Sequence, residues 1–455
     1  MSSQPPRASR PRPATLLIRF CQLFLLAGGM TLAITYSHGH LDQTQLPGFI
    51  VALAISWWLT PEIRSRAMRL GLVDKPGEER RIHKVAVPRL GGVAIYISIM
   101  VSLVLMMALC GRFPREGGLL GIAAGGTLIF VMGLLDDLES IPAKVKLGVQ
   151  VLAACAAYSL GVRVNHVLLL QPDVISFLHS HCGGFLEFHT SLAGASPVGV
   201  VLGALAFPLT VLWLVGIANA VNLIDGMDGL AAGVSLISAI TIWSVAMSPH
   251  VALHQPYAAW IAAVLAGALL GFLRWNFNPA RIFLGDSGAY LAGFILAAVA
   301  VTGVMKTATA LTLLLPALIL FFPILDTSWA IVRRLARGKS IFAPDAEHIH
   351  HRLLRTGLSQ KHVAYLIYGF SGALGLVACW MVGQQWYYLT VCAGVLAMAI
   401  FFAEVLNRNR QKPGKGNKSD VGSVSPPPAP DDPYESASRL VVLPEANSRP
   451  ESPTR

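Results

Sequence analysis

Charge is what this 455-residue chain has least of: Asp, Glu, Lys and Arg make up 13% of it, against 54% hydrophobic residues. A soluble protein of this composition would have to hide many apolar helices in one core, which the surface-to-volume ratio of a folded chain disfavours. Cysteine is also scarce, with six residues and no C-x-x-C pair. Five of them, Cys21, Cys110, Cys155, Cys379 and Cys392, lie in or at the ends of apolar runs, and Cys182 lies in a polar stretch. That excludes a disulfide framework and a cysteine-built zinc site. No basic face and no module of interleaved aromatic and basic residues is present, so the net charge of +11 does not point to nucleic acid.

Read by position, the charge marks loops. Ser37 to Leu46, Asn165 to Pro197 and Ser248 to Pro256 hold no Lys or Arg, whereas Glu62 to Leu90 holds Arg64, Arg66, Arg69, Lys75, Arg80, Arg81, Lys84 and Arg89. Basic loops stay on the cytoplasmic side of a membrane. One short outer loop, Gly111 to Gly117, goes mildly against this with Arg112 and Arg115.

Long apolar runs are plentiful. They are Leu16 to Tyr36, Pro47 to Leu59, Gly91 to Cys110, Gly118 to Leu135, Leu147 to Val164, Val198 to Gly216, Leu230 to Met247, Tyr257 to Leu273, Gly288 to Val304, Ala308 to Leu325, Ala364 to Val382 and Tyr387 to Val405. The first is too long for a signal-peptide core. The expected architecture is an all-α polytopic membrane protein with about 11–12 transmembrane helices and both termini inside. Residues 1–13 read as a cytoplasmic tail, 14–406 as the membrane domain, and 407–455, with Pro426-Pro427-Pro428, as a disordered cytoplasmic tail. In the outer segment Asn165 to Pro197, Val164 to Leu170 and Phe185 to Thr190 predict a small β-hairpin around Gly183-Gly184. Its histidines, His166, His179, His181 and His189, have no ligand spacing.

The acids interrupt this apolar pattern. Asn219-Ala220-Val221-Asn222-Leu223-Ile224-Asp225-Gly226-Met227-Asp228-Gly229 sits between two runs long enough to span a bilayer. Acids in such a place are costly unless they face protein or water, so they are candidates for function rather than a polar turn. The glycines let the backbone approach a bound group, and hard cations favour oxygen ligands of the Asp and Asn kind. Asp136-Asp137 ends another run, with Lys144 and Lys146 beginning the next; adjacent carboxylates repel unless a cation or proton lies between them. Phe283-Leu284-Gly285-Asp286-Ser287-Gly288 opens a further run, an acid near an aromatic, although Gly-Asp-Ser-Gly also makes a good helix N-terminus. The loop Asp326 to His362 adds Arg333, Arg334, Arg337, Lys339, His348, His350, His351 and Arg352. A histidine zinc cluster lacks a clear fourth ligand, and an anion-binding surface fits better. All these stretches fall on one side of the predicted topology. Oxygen ligands, cations and an aromatic at one membrane face suit phosphoryl transfer between a nucleotide and a lipid phosphate, both anionic.

The ordered set Gly71-Leu72-Val73-Asp74-Lys75-Pro76, His83, Pro88-Arg89-Leu90-Gly91-Gly92, Asp136-Asp137, Lys146-Leu147 with Gln150, Asn219-x-x-Asn222-x-x-Asp225-Gly226-x-Asp228-Gly229, Phe283-x-Gly285-Asp286 and His348-x-His350-His351 resembles the polyprenyl-phosphate N-acetylhexosamine-1-phosphate transferases over about residues 47–406. The histidine loop resembles the branch that uses UDP-N-acetylglucosamine. The resemblance implies transfer of N-acetylglucosamine 1-phosphate from UDP-N-acetylglucosamine to undecaprenyl phosphate, releasing UMP, at the cytoplasmic face of a bacterial plasma membrane. It implies Mg²⁺, with Mn²⁺ as a substitute, held by Asn222 and Asp286. Phe283 would stack on uracil and Lys146 would contact phosphate. Asp136 and Asp137 would position or deprotonate the lipid phosphate, and Asp225 and Asp228 would shape the nucleotide pocket. His348, His350, His351 and Arg352 would close over the sugar diphosphate. Asn219, Asp74, Lys84 and Arg89 are expected to bind substrate. Another UDP-N-acetylhexosamine, or UDP-N-acetylmuramoyl-pentapeptide, is an alternative donor, and a homodimer is left open. A secondary transporter would carry its acids near the bilayer midplane on broken helices, not at span ends.

Overall fold

The computed structural model describes residues 13–36, 44–74, 86–110, 118–164, 166–168, 187–189, 199–201, 203–247, 256–304, 314–338 and 347–382. The chain divides into a compact unit Gln22–Gln411 and a second made of Met1–Cys21 with Lys412–Arg455. In the second unit only the start of helix α1 (Pro13–Tyr36) is described. The predicted tails, apart from Pro13, and the predicted last span lie outside the described residues.

Among the described residues seven helices are long and apolar enough to cross a membrane, with two shorter apolar ones, Gln22–Leu32 and Leu230–Ala246. In chain order the elements are α2 (Gln45–Arg69), strands β1 (Val73–Asp74) and β2 (Val87–Pro88), α3 (Gly91–Cys110), α4 (Leu119–Leu138) and α5 (Ala143–Ser159). Then come β3 (His166–Leu168), β4 (Glu187–His189), β5 (Gly199–Val201), α6 (Ala206–Leu223), α7 (Leu230–Ala246), α8 (Pro256–Asn276) and α9 (Gly285–Val299). The last are α10 (Leu314–Ile319), α11 (Phe321–Ala336), α12 (Ile349–Arg355) and α13 (Gln360–Met381). The protein is an all-α polytopic membrane protein in class.

Helices α8 and α9 form the centre: 78% and 89% of their apolar spans are buried within the protein, against 39% for α13. Small side chains allow this, since Ala258, Ala259, Ala262, Ala263 and Ala266 bring α8 close to its neighbours, as small residues do wherever lipid supplies no hydrophobic drive between helices. Helix α2 lies along α8, and α9 packs between α4 and α6. The Ser56 hydroxyl donates to the Ala268 carbonyl at 2.7 Å, a polar tie between α2 and α8. Outward residues such as Val104, Leu120, Leu152, Leu212 and Trp380 stay exposed and apolar, as a lipid-facing surface requires.

Four expectations are corrected. The run Pro47 to Leu59 belongs to a longer helix that continues through Pro61 to Arg69. Proline cannot donate to the carbonyl four residues back, and Gln22 Nε2 donates to that carbonyl, on Trp57, at 3.3 Å. The predicted span from Val198 begins instead with strand β5, and the helix runs from Ala206 to Leu223, which extends it into the Asn219 stretch. Both predicted strands form, but not as a hairpin: β5 lies between β3 and β4 and pairs antiparallel with each. The run Ala308 to Leu325 is broken at Leu320 between α10 and α11, so Asp326 continues inside a helix.

Candidate active site

The ends of α4 and α6 and the starts of α5 and α9 converge, and that convergence begins with backbone. Phe283 N–H donates to the Pro88 carbonyl at 2.8 Å, and Gly91 and Gly92 N–H donate to the Phe283 and Leu284 carbonyls at 3.0 and 2.9 Å. The basic first loop is thereby fixed to the segment that carries Asp286. On its other side β2 pairs with β1, placing Asp74 opposite Val87. Lys84 lies outside the described residues.

The turn into α9 needs a left-handed residue, and Gly285 has φ +75°. A Cβ there would collide with the Arg89 carbonyl and the Asp137 carboxylate. That carboxylate crosses from α4 to cap α9: Asp286 N–H donates to Asp137 Oδ1 at 2.7 Å, and Ser287 N–H and Oγ–H donate to Oδ2 at 3.0 and 2.5 Å. Free N–H groups and the positive helix end favour a carboxylate in this place. Asp137 is therefore engaged in holding Asp286.

Asp136 faces a different group. Its Oδ1 accepts from Ile141 N–H at 2.7 Å, and its Oδ2 pairs with the Lys146 ammonium. Lys146 also reaches Asp286 Oδ2 at 3.2 Å, and Asn222 Nδ2 donates to Asp286 Oδ1 at 3.0 Å. Two carboxylates from separate helices thus share one cation, beside a carboxamide. Asn219, one turn earlier on α6, donates to Gln150 Oε1 of α5 at 2.7 Å, locking the two helices. Among the described residues, no three His, Cys, Asp or Glu side chains are grouped to cage a metal. Asp286 and Asp136 are nonetheless hard oxygen donors already drawn around a positive charge, with the Asn222 carboxamide against Asp286. A small divalent ion needs only one or two carboxylates when phosphates and water complete its shell.

Asp225 and Asp228 differ as strongly. Burial, reinforced by the charges of Asp286, Asp137 and Asp228, pushes the Asp225 carboxyl well above the usual range, and Arg89 opposes this. Asp228 is buried and turned toward the segment before α9: its Oδ2 accepts from Asn278 Nδ2 at 2.9 Å and from Ala280 N–H at 3.0 Å. Phe283, half-buried, lies on the segment pinned to Pro88 and Gly91.

The histidines arrive from far along the chain. His350 is buried, with both ring nitrogens lacking a hydrogen-bond partner in the protein, and its Nε2 lies 2.5 Å from where a Cβ on Gly226 would sit. Burial, with the nearby His351 and His348, lowers its pKa to about 4, so the ring is neutral near pH 7. A buried polar group without a partner is costly, and a ligand atom would satisfy it. The His348 ring stacks with its centre 5.9 Å from that of His350, and the His351 ring centre lies 4.3 Å from it. Arg352 is exposed on α12.

One residue bonded to the histidine loop is not singled out by the sequence. Asp326, buried on α11, accepts from His348 Nδ1–H at 2.7 Å and from Ile349 N–H at 2.8 Å. Burial raises the pKa of this carboxyl, but the hydrogen bonds from His348 and Ile349 outweigh it and leave the carboxyl below the usual range. The signal was present: an acid next to an apolar run is a functional candidate wherever it occurs.

Residues 119–304 match the model of glycosyl transferase family 4. The chain is 36% identical to a Bacillus subtilis protein named "Probable undecaprenyl-phosphate N-acetylglucosaminyl 1-phosphate transferase", over 70% of this chain and 80% of that protein. It is 35% identical to the decaprenyl-phosphate N-acetylglucosaminephosphotransferase of Mycobacterium tuberculosis, over 84% of this chain and 92% of the relative. It is 32% identical to the phospho-N-acetylmuramoyl-pentapeptide-transferase of Carboxydothermus hydrogenoformans, over 70% and 91%. With the shared cation between Asp136 and Asp286 and this extent of similarity, the chain belongs to the polyprenyl-phosphate N-acetylhexosamine-1-phosphate transferases of glycosyl transferase family 4, enzymes that transfer a phosphosugar.

Proposed function

We propose that the protein transfers N-acetylglucosamine 1-phosphate from UDP-N-acetylglucosamine to undecaprenyl phosphate, with Mg²⁺, at the cytoplasmic face of a bacterial plasma membrane. The observation that carries this is the convergence of Asp136, Lys146, Asn222 and Asp286 at one end of the helices. An oxygen of the lipid phosphate attacks the sugar-side phosphorus of the donor. That P–O bond forms as the bond to the UMP oxygen breaks, leaving a lipid-linked diphosphate sugar and UMP. A phosphate monoester is largely ionised near neutrality, so little proton removal is needed. The task of the protein is to bring two anions together.

Asp286 and Asn222, with Asp136, would hold Mg²⁺, which neutralises phosphate charge and stabilises the in-line transition state. Lys146 would move from its carboxylates to phosphate oxygens. Asp137 positions Asp286, and Asp228 positions the 276–285 segment. His350 would hydrogen-bond the sugar diphosphate, with Asp326 fixing the stacked His348. Phe283 would stack on the uracil. The cytoplasmic assignment rests on the basic loop around Arg64 to Arg89, which shares this end of the protein through the Pro88–Phe283 pairing.

A second donor, UDP-N-acetylmuramoyl-pentapeptide, is kept because the relative from Carboxydothermus hydrogenoformans is named for that chemistry. Purified protein in vesicles containing undecaprenyl phosphate is given each UDP-sugar with Mg²⁺, and UMP and the lipid product are measured. Product from UDP-N-acetylglucosamine is expected. Product from the pentapeptide donor alone would move the assignment, and no UMP from any donor would end it.

A further inference from the structure

The segment between α8 and α9 has two faces. Asn278 and Ala280 bond to Asp228, while Phe277, Pro279 and Arg281 line a cavity of about 320 Å³ together with Arg274 and Trp275. The alternation makes this segment a partition, with the acid loop on one side and the cavity on the other. Its shape is held from within: Arg281 N–H donates to the Trp275 carbonyl at 2.9 Å, and Asn276 Nδ2 donates to the Ile282 carbonyl at 3.0 Å. Arg64, at the basic end of α2, donates to the Arg281 carbonyl at 3.0 Å.

The described residues of the lining include two basic ones, Arg274 and Arg281. Arg274 lies in the last turn of an apolar helix long enough to span a bilayer, which sets it at the level of lipid headgroups. The Arg281 guanidinium sits 5.6 Å from the Trp275 ring centre, an aromatic floor beneath a cation. Among the described residues of the lining, none is acidic. Guanidinium groups bind phosphate in a directed, forked manner, and basic pockets at the ends of membrane helices take anionic headgroups. The volume is at the lower end of small-ligand sites, enough for a phosphate with its ester substituent.

We propose that this cavity binds a phosphate group outside the reaction centre, that of an anionic lipid headgroup or of a soluble phosphate. A bound phosphate would brace Arg274 and Arg281 and so steady the strip that leads from Asn278 to Asp286. The site does not depend on the identity of the donor sugar.

The test uses the full-length protein and the variant R274Q/R281Q in vesicles of phosphatidylcholine alone, with added phosphatidylglycerol, or with added inorganic phosphate. Melting temperature is read beside turnover, so that failure of the proposed reaction remains distinguishable from failure of this site. The wild type is expected to gain roughly 2–4 °C in one of the two phosphate-bearing conditions, and R274Q/R281Q to gain none while matching the wild type in phosphatidylcholine alone. R274K/R281K should recover part of the gain. Response to phosphatidylglycerol assigns a lipid source, and response to inorganic phosphate a soluble one. An equal gain in wild type and R274Q/R281Q, or no gain in either condition, would overturn the site.

Discussion

Two regions of this protein each present a pair of similar residues side by side and use the two members differently. At the α4–α9 junction, Asp137 is engaged by the N-terminus of α9, whereas its neighbour Asp136 faces Lys146 and the opening toward Asp286. At the α11–α12 junction, His348 is held by Asp326, whereas His350, two residues on, has no protein partner on either nitrogen. In both places one residue fixes geometry, and the proposed function gives the other to a ligand. Adjacency in sequence therefore does not imply a shared role, because neighbours on a helix start or end point in different directions.

The largest effect expected from breaking this comparison is at the open acids. Asp136→Asn and Asp286→Asn should each lower turnover on the order of 10³-fold, with little change in melting temperature, since they remove charge meant for reactants rather than for folding. Asp137→Asn should give a different signature. Loss of a charged acceptor for Asp286 N–H, Ser287 N–H and Ser287 Oγ–H costs about 1–3 kcal/mol. The melting temperature should therefore fall together with a turnover loss of about 10²-fold from misplaced Asp286. Equal melting curves for D136N and D137N would dissolve the distinction.

In the second region, His350→Ala should cost about 10²-fold in turnover, and Asp326→Asn about 10- to 100-fold by loosening His348, with D326E recovering part of it. A KM for the UDP-sugar that rises in both would place them at the donor, and one unchanged in both would not. The smallest effect expected is on pH dependence. His350 titrates at about 4 in the folded protein and near 6.5 when free. A ring whose folded pKa is depressed contributes stability that is full above pH 6.5 and is lost as pH falls toward 4, on the order of 3 kcal/mol in all. Hydrogen exchange in the 347–355 segment should rise over that interval in wild type and stay flat in H350L.

Much of this was legible in the sequence because membrane burial makes polar residues conspicuous. Apart from the one expected from Val198, the helices from Gly91 to Gly303 follow from apolar length, and Asp136, Asn222 and Asp286 stand out at span ends. What was not legible is partnership over distance. The capping of α9 by Asp137 spans 149 residues and the Lys146–Asp286 contact 140, and neither leaves a local pattern. Asp326 does not stand out because the apolar run before it ends there in the sequence, whereas the break in the helix falls earlier, at Leu320. The β-hairpin failed for a related reason: the pattern identified two strands, but Gly199–Val201, read as the start of a span, paired with both.

The most direct test of the central claim, that Asp286 holds the divalent ion on which phosphosugar transfer depends, is Mg²⁺-dependent UMP release by purified D286A protein that melts as the wild type does. The account predicts no release above background at any Mg²⁺ concentration. Wild-type release with an unchanged Mg²⁺ requirement would contradict it.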